Sequence, residues 1–260
     1  MATVAIALLA GGDPLTALRL GGSMVALQAS IGALNDVNDA SADAGQKPGK
    51  PIPSGLVAPR TARAVVAIGA AAGLLLAAAS GPGLLAIAVL GLTIGYGYDR
   101  WAKGTAWSWL PFAVGIPLLP VFGWFGATGR LPGEFGVLLP AAVVAGAALA
   151  IANARADLER DAAAGQGSVA ARLGPDRAWR LSAGLLAAVI VVALVSLLLR
   201  GASPLPLGGA MAAGAVIAIG IGWAHGSSTS AARREHAWEI QAIGVALLAA
   251  AWLADAGDLG

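Results

Sequence analysis

The chain contains no cysteine, which removes disulfides, thiolate nucleophiles and cysteine-based metal centres from consideration. Charge is scarce too. Asp, Glu, Lys and Arg make up 12% of the 260 residues, against about a quarter in a soluble domain, so the chain cannot cover itself for water. The formal net charge is only +2, too small to suggest nucleic-acid binding despite a pI near 9.4. The first ten residues lack the basic stretch and the cleavage site of a signal peptide. Nor do the apolar runs alternate with polar residues as barrel strands do.

What is present is hydrophobicity: 58% of residues are apolar and the mean hydropathy is +0.77. At roughly 20 apolar residues per membrane-spanning helix, the runs predict nine spans, at 1–11, 16–34, 61–79, 84–98, 107–127, 135–152, 178–199, 207–224 and 237–253. The expected architecture is an all-α integral membrane protein with a single transmembrane domain over 1–260. Its first span is short, about ten apolar residues or roughly 15 Å at helical rise against a hydrocarbon core near 30 Å. From this we expect either that the native product begins upstream of Met1 or that the first helix is weakly held.

With nine spans, the loops after the second, fourth, sixth and eighth share one side. These loops and their helix ends carry 13 of the 16 basic residues, leaving Arg19, Arg130 and Arg200 opposite. The richer side is therefore expected in the cytoplasm of a cell inner or plasma membrane. Ten of the 14 acids fall on that side as well, and none lies near mid-span. An ion-coupled transporter usually places an ionisable group there; this chain confines its chemistry to the cytoplasmic rim.

Two acidic motifs stand on that rim. At the end of span two, Asn35, Asp39 and Asp43 recur every fourth residue, and Asp36 lies three before Asp39. On a helix they form one carboxylate face. Like charges so close are tolerated when a cation sits among them, and an all-oxygen set suits Mg²⁺ shared with a phosphate-bearing substrate. Past span six, Asp157 and Asp161 again share a helical face, while Glu159 points about 160° away from it and is expected to be a bystander. Four spans separate the motifs, so the two can face each other across the mouth of a bundle, an arrangement suited to docking a diphosphate and neutralising it as a leaving group. Lys47, Lys50, Arg100 and Lys103 lie nearby, as structural counter-ions or as direct phosphate ligands.

These residues resemble the UbiA superfamily of intramembrane prenyltransferases, whose pattern is N/D-D-x-x-D-x-x-x-D after the second helix, D-x-x-x-D after the sixth and a Tyr/Lys motif after the fourth. Asn35, Asp36, Asp39 and Asp43 match the first; Asp157 and Asp161 match the second; Tyr98 and Lys103 match the third. Lys50-Pro51-Ile52-Pro53-Ser54-Gly55 is similar to a basic-Pro-x-Pro-Ser-Gly segment of many members, with Lys where Arg is more usual. The likeness runs from Leu18 to about Arg180. There are departures: four residues separate Tyr98 from Lys103 where some branches have three, Val37 and Asn38 replace positions often aromatic, and the first span is short.

The resemblance implies Mg²⁺-dependent transfer of a prenyl group from a prenyl diphosphate to an acceptor, expected to be aromatic or a quinone precursor, within the membrane. It implies metal ligation by Asp36, Asp39, Asp43, Asp157 and Asp161, diphosphate contacts from Asn35, Lys47, Lys50 and Arg100, and catalytic roles for Asp39, Asp161, Lys103 and Tyr98. A terpene cyclase of the same superfamily and a non-catalytic lipid-binding or transport protein are the alternatives.

Other features read more plainly. His236 and Glu239 are three apart but lack further ligands. Gly214, Gly220 and Gly222 read as helix-packing positions. Trp101, Trp107, Trp109 and Trp124 read as interface anchors, or one or two of them as the wall of an isoprenoid channel.

The charge split makes a topological prediction, and the missing cysteines make it easy to test. Single cysteines introduced at Lys47, Lys103 and Arg172 should label from the cytoplasm, and one at Ser203 from outside. Labelling of positions 50 and 155 from opposite faces would sink the two-motif arrangement.

Overall fold

The computed structural model describes residues 2–44, 49–226 and 229–257. Regular structure among them is helical throughout: α1 (Ala2–Leu9), α2 (Pro14–Asp43), α3 (Pro59–Ala78), α4 (Pro82–Gly97), a π-helical turn (Tyr98–Ala102), α5 (Leu110–Thr128), α6 (Phe135–Ala156), α7 (Leu158–Ala163), α8 (Val169–Leu173), α9 (Pro175–Leu199), α10 (Pro204–Trp223) and α11 (Ala231–Gly257). Eight of these helices are long and apolar enough to cross a membrane. The ninth expected span is α1, eight residues long, or about 12 Å at 1.5 Å per residue.

Helix starts depart from the sequence expectation in a regular way. α2, α3, α4, α9 and α10 all begin at a proline, two or three residues ahead of the starts read from hydropathy. The first N–H of a helix has no intrahelical acceptor, so proline costs nothing there and presets φ. Asp13 adds a cap to α2, its carboxylate accepting from the N–H groups of Leu15 and Thr16 at 3.0 Å.

The chain packs into two compact units: Met1–Trp101 with Leu118–Leu131, and Ala102–Pro117 with Pro132–Gly260. α5 contributes to both, up to Pro117 in the second and from Leu118 in the first.

The first unit is built on the α2–α3 pair. Gly69 and Gly73 let the backbones approach so closely that a Cβ on Gly69 would lie 2.7 Å from the Ala26 carbonyl oxygen, and one on Gly73 2.6 Å from the Leu27 side chain. The same approach brings polar groups together: Ser23 Oγ donates to Gly73 O and Ser30 Oγ to Val66 O, both at 2.7 Å. In hydrocarbon such approach supplies the packing that water exclusion supplies elsewhere. Leu20, Leu27, Leu84, Ala88 and Phe122 close the core. α1 is packed and not loose, with Ala7 fully buried and glycines 21 and 123 leaving room for Val4 and Ile6.

In the second unit α10 pairs with α11 through Gly220 against Ala237 O and Gly244 against Ile217. Of the three expected packing glycines, Gly214 and Gly220 meet a neighbouring helix, whereas Gly222 has nothing within 4 Å. α6 lies on α9 through Ile151, Ala154 and Ala178, and Gly146 admits the Phe112 backbone.

Gly69→Ala should therefore cost about 1–3 kcal/mol from overpacking, whereas Gly91→Ala, with nothing within 4 Å of its Cβ position, should be neutral or stabilising by up to about 1 kcal/mol. Thermal unfolding in detergent checks both.

Candidate functional site

α2 is 30 residues long, about 45 Å at helical rise, and exceeds the hydrocarbon thickness. Its apolar part can cross while its acidic end stays continuous helix beyond the core. Asn35, Asp36, Asp39 and Asp43 therefore do share one helix face, as the spacing predicts. Lys50 Nζ lies 2.5 Å from Asp36 Oδ1, with both side chains about 30% exposed. The hydrogen bond to Asp36 raises the Lys50 ammonium above its ordinary value; burial opposes this, and the charges of Asp36, Asp43 and Asp39 reinforce it. All three carboxylates thus act on this ammonium group.

Lys50 is held there by the turn that follows α2. Ser54 N and Val57 N donate to the carbonyls of Lys50 and Pro51 at 3.1 and 3.0 Å, and Ser54 Oγ donates to Pro51 O at 3.2 Å. Gly55 closes the turn at φ +76, a conformation glycine adopts without cost. The Lys-Pro-x-Pro-Ser-Gly sequence is thus a rigid mount for one ammonium group. Lys47 lies outside the described residues.

After α4 the chain winds into the π-helical turn Tyr98–Ala102. Such turns take an extra residue, since their bonds run from i to i+5, and recur at functional sites. The longer Tyr98–Lys103 spacing coincides with this wider winding. Arg100 is exposed at the turn.

In the second unit, Asp157 occupies the corner between α6 and α7 at φ −92, ψ 3. Asp161 N donates to Asp157 O at 2.8 Å, so the two carboxylates stay one turn apart, as expected. Lys103 is drawn toward this motif through its neighbour: Gly167 N donates to Gly104 O at 2.9 Å, and Gln166 N donates to Asp161 O at 2.8 Å. Lys103 and the second motif thus belong to one unit, while Tyr98 belongs to the other.

Several residues of the site had no signal in the sequence. Arg155, 2% exposed, donates to the carbonyls of Pro175, Ala224 and Gly226 at 2.9, 3.0 and 2.8 Å, tying the end of α6 to the start of α9 and the end of α10. Arg160 reaches Asp157 at 2.9 Å and Glu235 at 3.3 Å with the same Nη2. Glu159, expected as a bystander, pairs with the buried Arg234. Burial raises the Glu159 carboxyl, but the hydrogen bond from Arg234 and the charges of Arg234 and Arg155 outweigh it and hold the group below its ordinary value. The spacing could not show that Arg234 is the partner of Glu159.

The tryptophans divide. Trp101 and Trp107 are exposed, as interface anchors are, whereas Trp124 is buried and Trp109 packs against Ile151 and Ala154. His236 Nδ1 lies 3.2 Å from Glu239.

Both acidic motifs offer carboxylate oxygen, a donor set that fits a hard cation such as Mg²⁺. Among the described residues no three His, Asp or Glu side chains form a metal cage of their own. Mg²⁺ bound with a diphosphate takes one or two carboxylates and completes its shell with phosphate oxygens and water, and the motifs fit that mode.

The sequence pattern of the UbiA prenyltransferase family matches residues 1–254. Among solved structures, the chain is similar to a digeranylgeranylglyceryl phosphate synthase of membranes, at 17% identity and TM-score 0.75, with 99% of this chain and 93% of that one covered. It is also similar to an apo UbiA homologue from Aeropyrum pernix K1, at 22% identity and TM-score 0.73 over 99% and 95% of the two chains. A UbiA homologue from Archaeoglobus fulgidus bound to GPP and Mg²⁺ matches at 19% identity and TM-score 0.71 over 96% and 94%. No curated protein sequence matches the chain.

Removing the guanidinium in Arg155→Met deletes three charge-assisted hydrogen bonds at a 2% exposed side chain and should cost about 3 kcal/mol or more. Lys50→Met breaks a part-exposed pair and should cost less than about 1 kcal/mol. Unfolding of both variants in detergent checks the contrast, and equal losses would contradict it.

Proposed function

The chain belongs to the UbiA prenyltransferase family, and from that premise we propose that it transfers a prenyl group from a prenyl diphosphate to a small acceptor in the membrane, with Mg²⁺ as cofactor and the reaction at the cytoplasmic face. The observation that carries the reading is the acidic face of α2. On that face Asp36 pairs with Lys50 across a part-exposed ion pair, a contact weak enough to yield to a stronger charge. Support also comes from the Archaeoglobus fulgidus homologue, which was solved with GPP and Mg²⁺.

In this reading Asp36, Asp39 and Asp43 of the first motif and Asp157 and Asp161 of the second would hold Mg²⁺ together with the diphosphate. Bound Mg²⁺ supplies positive charge that stabilises the departing diphosphate. Asn35 donates to a diphosphate oxygen, and Lys50, Lys103 and Arg100 add charge that grows in value as the leaving group becomes more negative. Tyr98 orients the head group from the π-helical turn. The bond between prenyl C1 and the diphosphate oxygen breaks with its electron pair on oxygen, and the acceptor attacks C1. The surplus proton passes to an aspartate or to the diphosphate.

We place an aromatic or quinone-precursor ring first as acceptor, since its π electrons are a direct nucleophile for an allylic cation. A cyclase would release diphosphate without any acceptor. A non-catalytic lipid-binding or transport protein would bind the prenyl diphosphate and release nothing.

Membranes incubated with labelled prenyl diphosphates of several lengths and a panel of aromatic, quinone-precursor and glycerol phosphate acceptors, with products identified by mass, test the reading directly. EDTA should abolish turnover and Mg²⁺ restore it. Asp39→Asn and Asp161→Asn, which keep size but remove one negative charge each, should lower turnover about 100-fold, or about 2.7 kcal/mol. Wild-type turnover in both variants would remove the aspartates from the reaction.

A further inference from the structure

The corner at Asp157 joins the end of α6 to α7, which is only six residues long and has no side-chain cap at its start. Its position is set from a distance in sequence, by the first turn of α11 and the residues leading into it. Arg234, 5% exposed, donates to Glu159 and to Thr229 O. Glu235 accepts from Arg160 Nη2 at 3.3 Å, the same nitrogen that lies 2.9 Å from Asp157 Oδ1. Arg155, two residues ahead of the corner, binds the carbonyls of Ala224 and Gly226 at 3.0 and 2.8 Å. Three arginines therefore join the α6–α7 corner to the end of α10 and the start of α11, over sequence separations of 69 to 75 residues.

Each bond has a consequence for the second acidic motif. Glu159 lies between Asp157 and Asp161 in sequence, so the Arg234 pair fixes the turn on which both carboxylates ride. Glu235 shares Arg160 with Asp157. Take away the Glu235 charge and the guanidinium has one carboxylate left to answer, the one with which a divalent cation would have to compete. None of this touches substrate.

We propose that the N-terminal turn of α11, through Arg234 and Glu235, is a positioning element for the second aspartate motif: Arg234 sets the Asp157–Asp161 turn by way of Glu159, and Glu235 keeps Arg160 from occupying Asp157 fully. The inference rests on the reading that Asp157 and Asp161 hold Mg²⁺ with a diphosphate.

The test uses purified full-length protein in detergent, with thermal unfolding followed as MgCl₂ is titrated at fixed inorganic diphosphate. Wild type should be stabilised, with a definite Mg²⁺ midpoint, and Asp157→Asn should lose the effect. Glu159→Gln and Glu235→Gln, whose native side chains are 65% and 50% exposed, should fold with melting temperatures close to wild type. Their Mg²⁺ midpoints should rise about tenfold. Glu239→Gln, which replaces the partner of His236 farther along the same helix, serves as the control and should keep the wild-type midpoint. A merely structural role would lower the melting temperature and leave the midpoint in place. Midpoints within twofold of wild type in both glutamate variants, with Asp157→Asn still inactive toward Mg²⁺ and diphosphate, would overturn the positioning role alone. No stabilisation of wild type would overturn the diphosphate reading and this inference with it.

Discussion

A charge in hydrocarbon costs several kcal/mol unless another charge or a set of hydrogen bonds answers it, and nearly every feature of this protein follows from that cost. The spans are built from Ala, Leu, Val, Ile and Gly; the charged residues are few and gather at helix ends. Clustered aspartates can exist only beyond the apolar part of a helix. α2 provides such a place by running to 30 residues, and α6 provides another by ending at Ala156, one residue before Asp157.

Within the spans a different force must hold helices together, because lipid is as apolar as leucine. Close backbone approach takes that part. Gly69 and Gly73 let α2 lie against α3, and Gly220 and Gly244 do the same for α10 and α11. The serine hydroxyls bonded to Val66 O and Gly73 O are affordable for the same reason: at that distance a carbonyl is within reach. The first acidic motif thus rides on a helix fixed along its length by α3.

Much of this was legible in the sequence, and the reason is physical. Apolar runs of span length have few structural solutions, so helix number and order follow from hydropathy. Aspartates at i, i+4 and i+8 share a face on any helix, so the first motif could be read without knowing its surroundings. Lys50 sits in a Pro- and Gly-rich turn too short to carry it far from the end of α2. What remained hidden depends on partners distant in the chain. Periodicity says that Glu159 points away from Asp157 and Asp161; it is silent on Arg234, 75 residues later. Arg155 reads as one more basic residue on the cytoplasmic rim, and only the folded chain shows its guanidinium enclosed by three carbonyls. Gly220 and Gly222 look alike in sequence, yet only the first faces a neighbouring helix.

The basic residues around the two acidic motifs do two kinds of work, and burial separates them. Arg155 is sealed in and bonded to three backbone carbonyls, which have no alternative charge state to offer it, so the contact is permanent framework. Lys50 and Arg160 lie in part-exposed pairs with Asp36 and Asp157, where water and salt weaken the attraction to about 1 kcal/mol or less. Such pairs relieve the repulsion among neighbouring carboxylates while the chain folds, and they yield at small cost to a doubly charged cation. The structure keeps its deepest guanidinium two residues away from Asp157, where it fixes the backbone and leaves the carboxylate exchangeable.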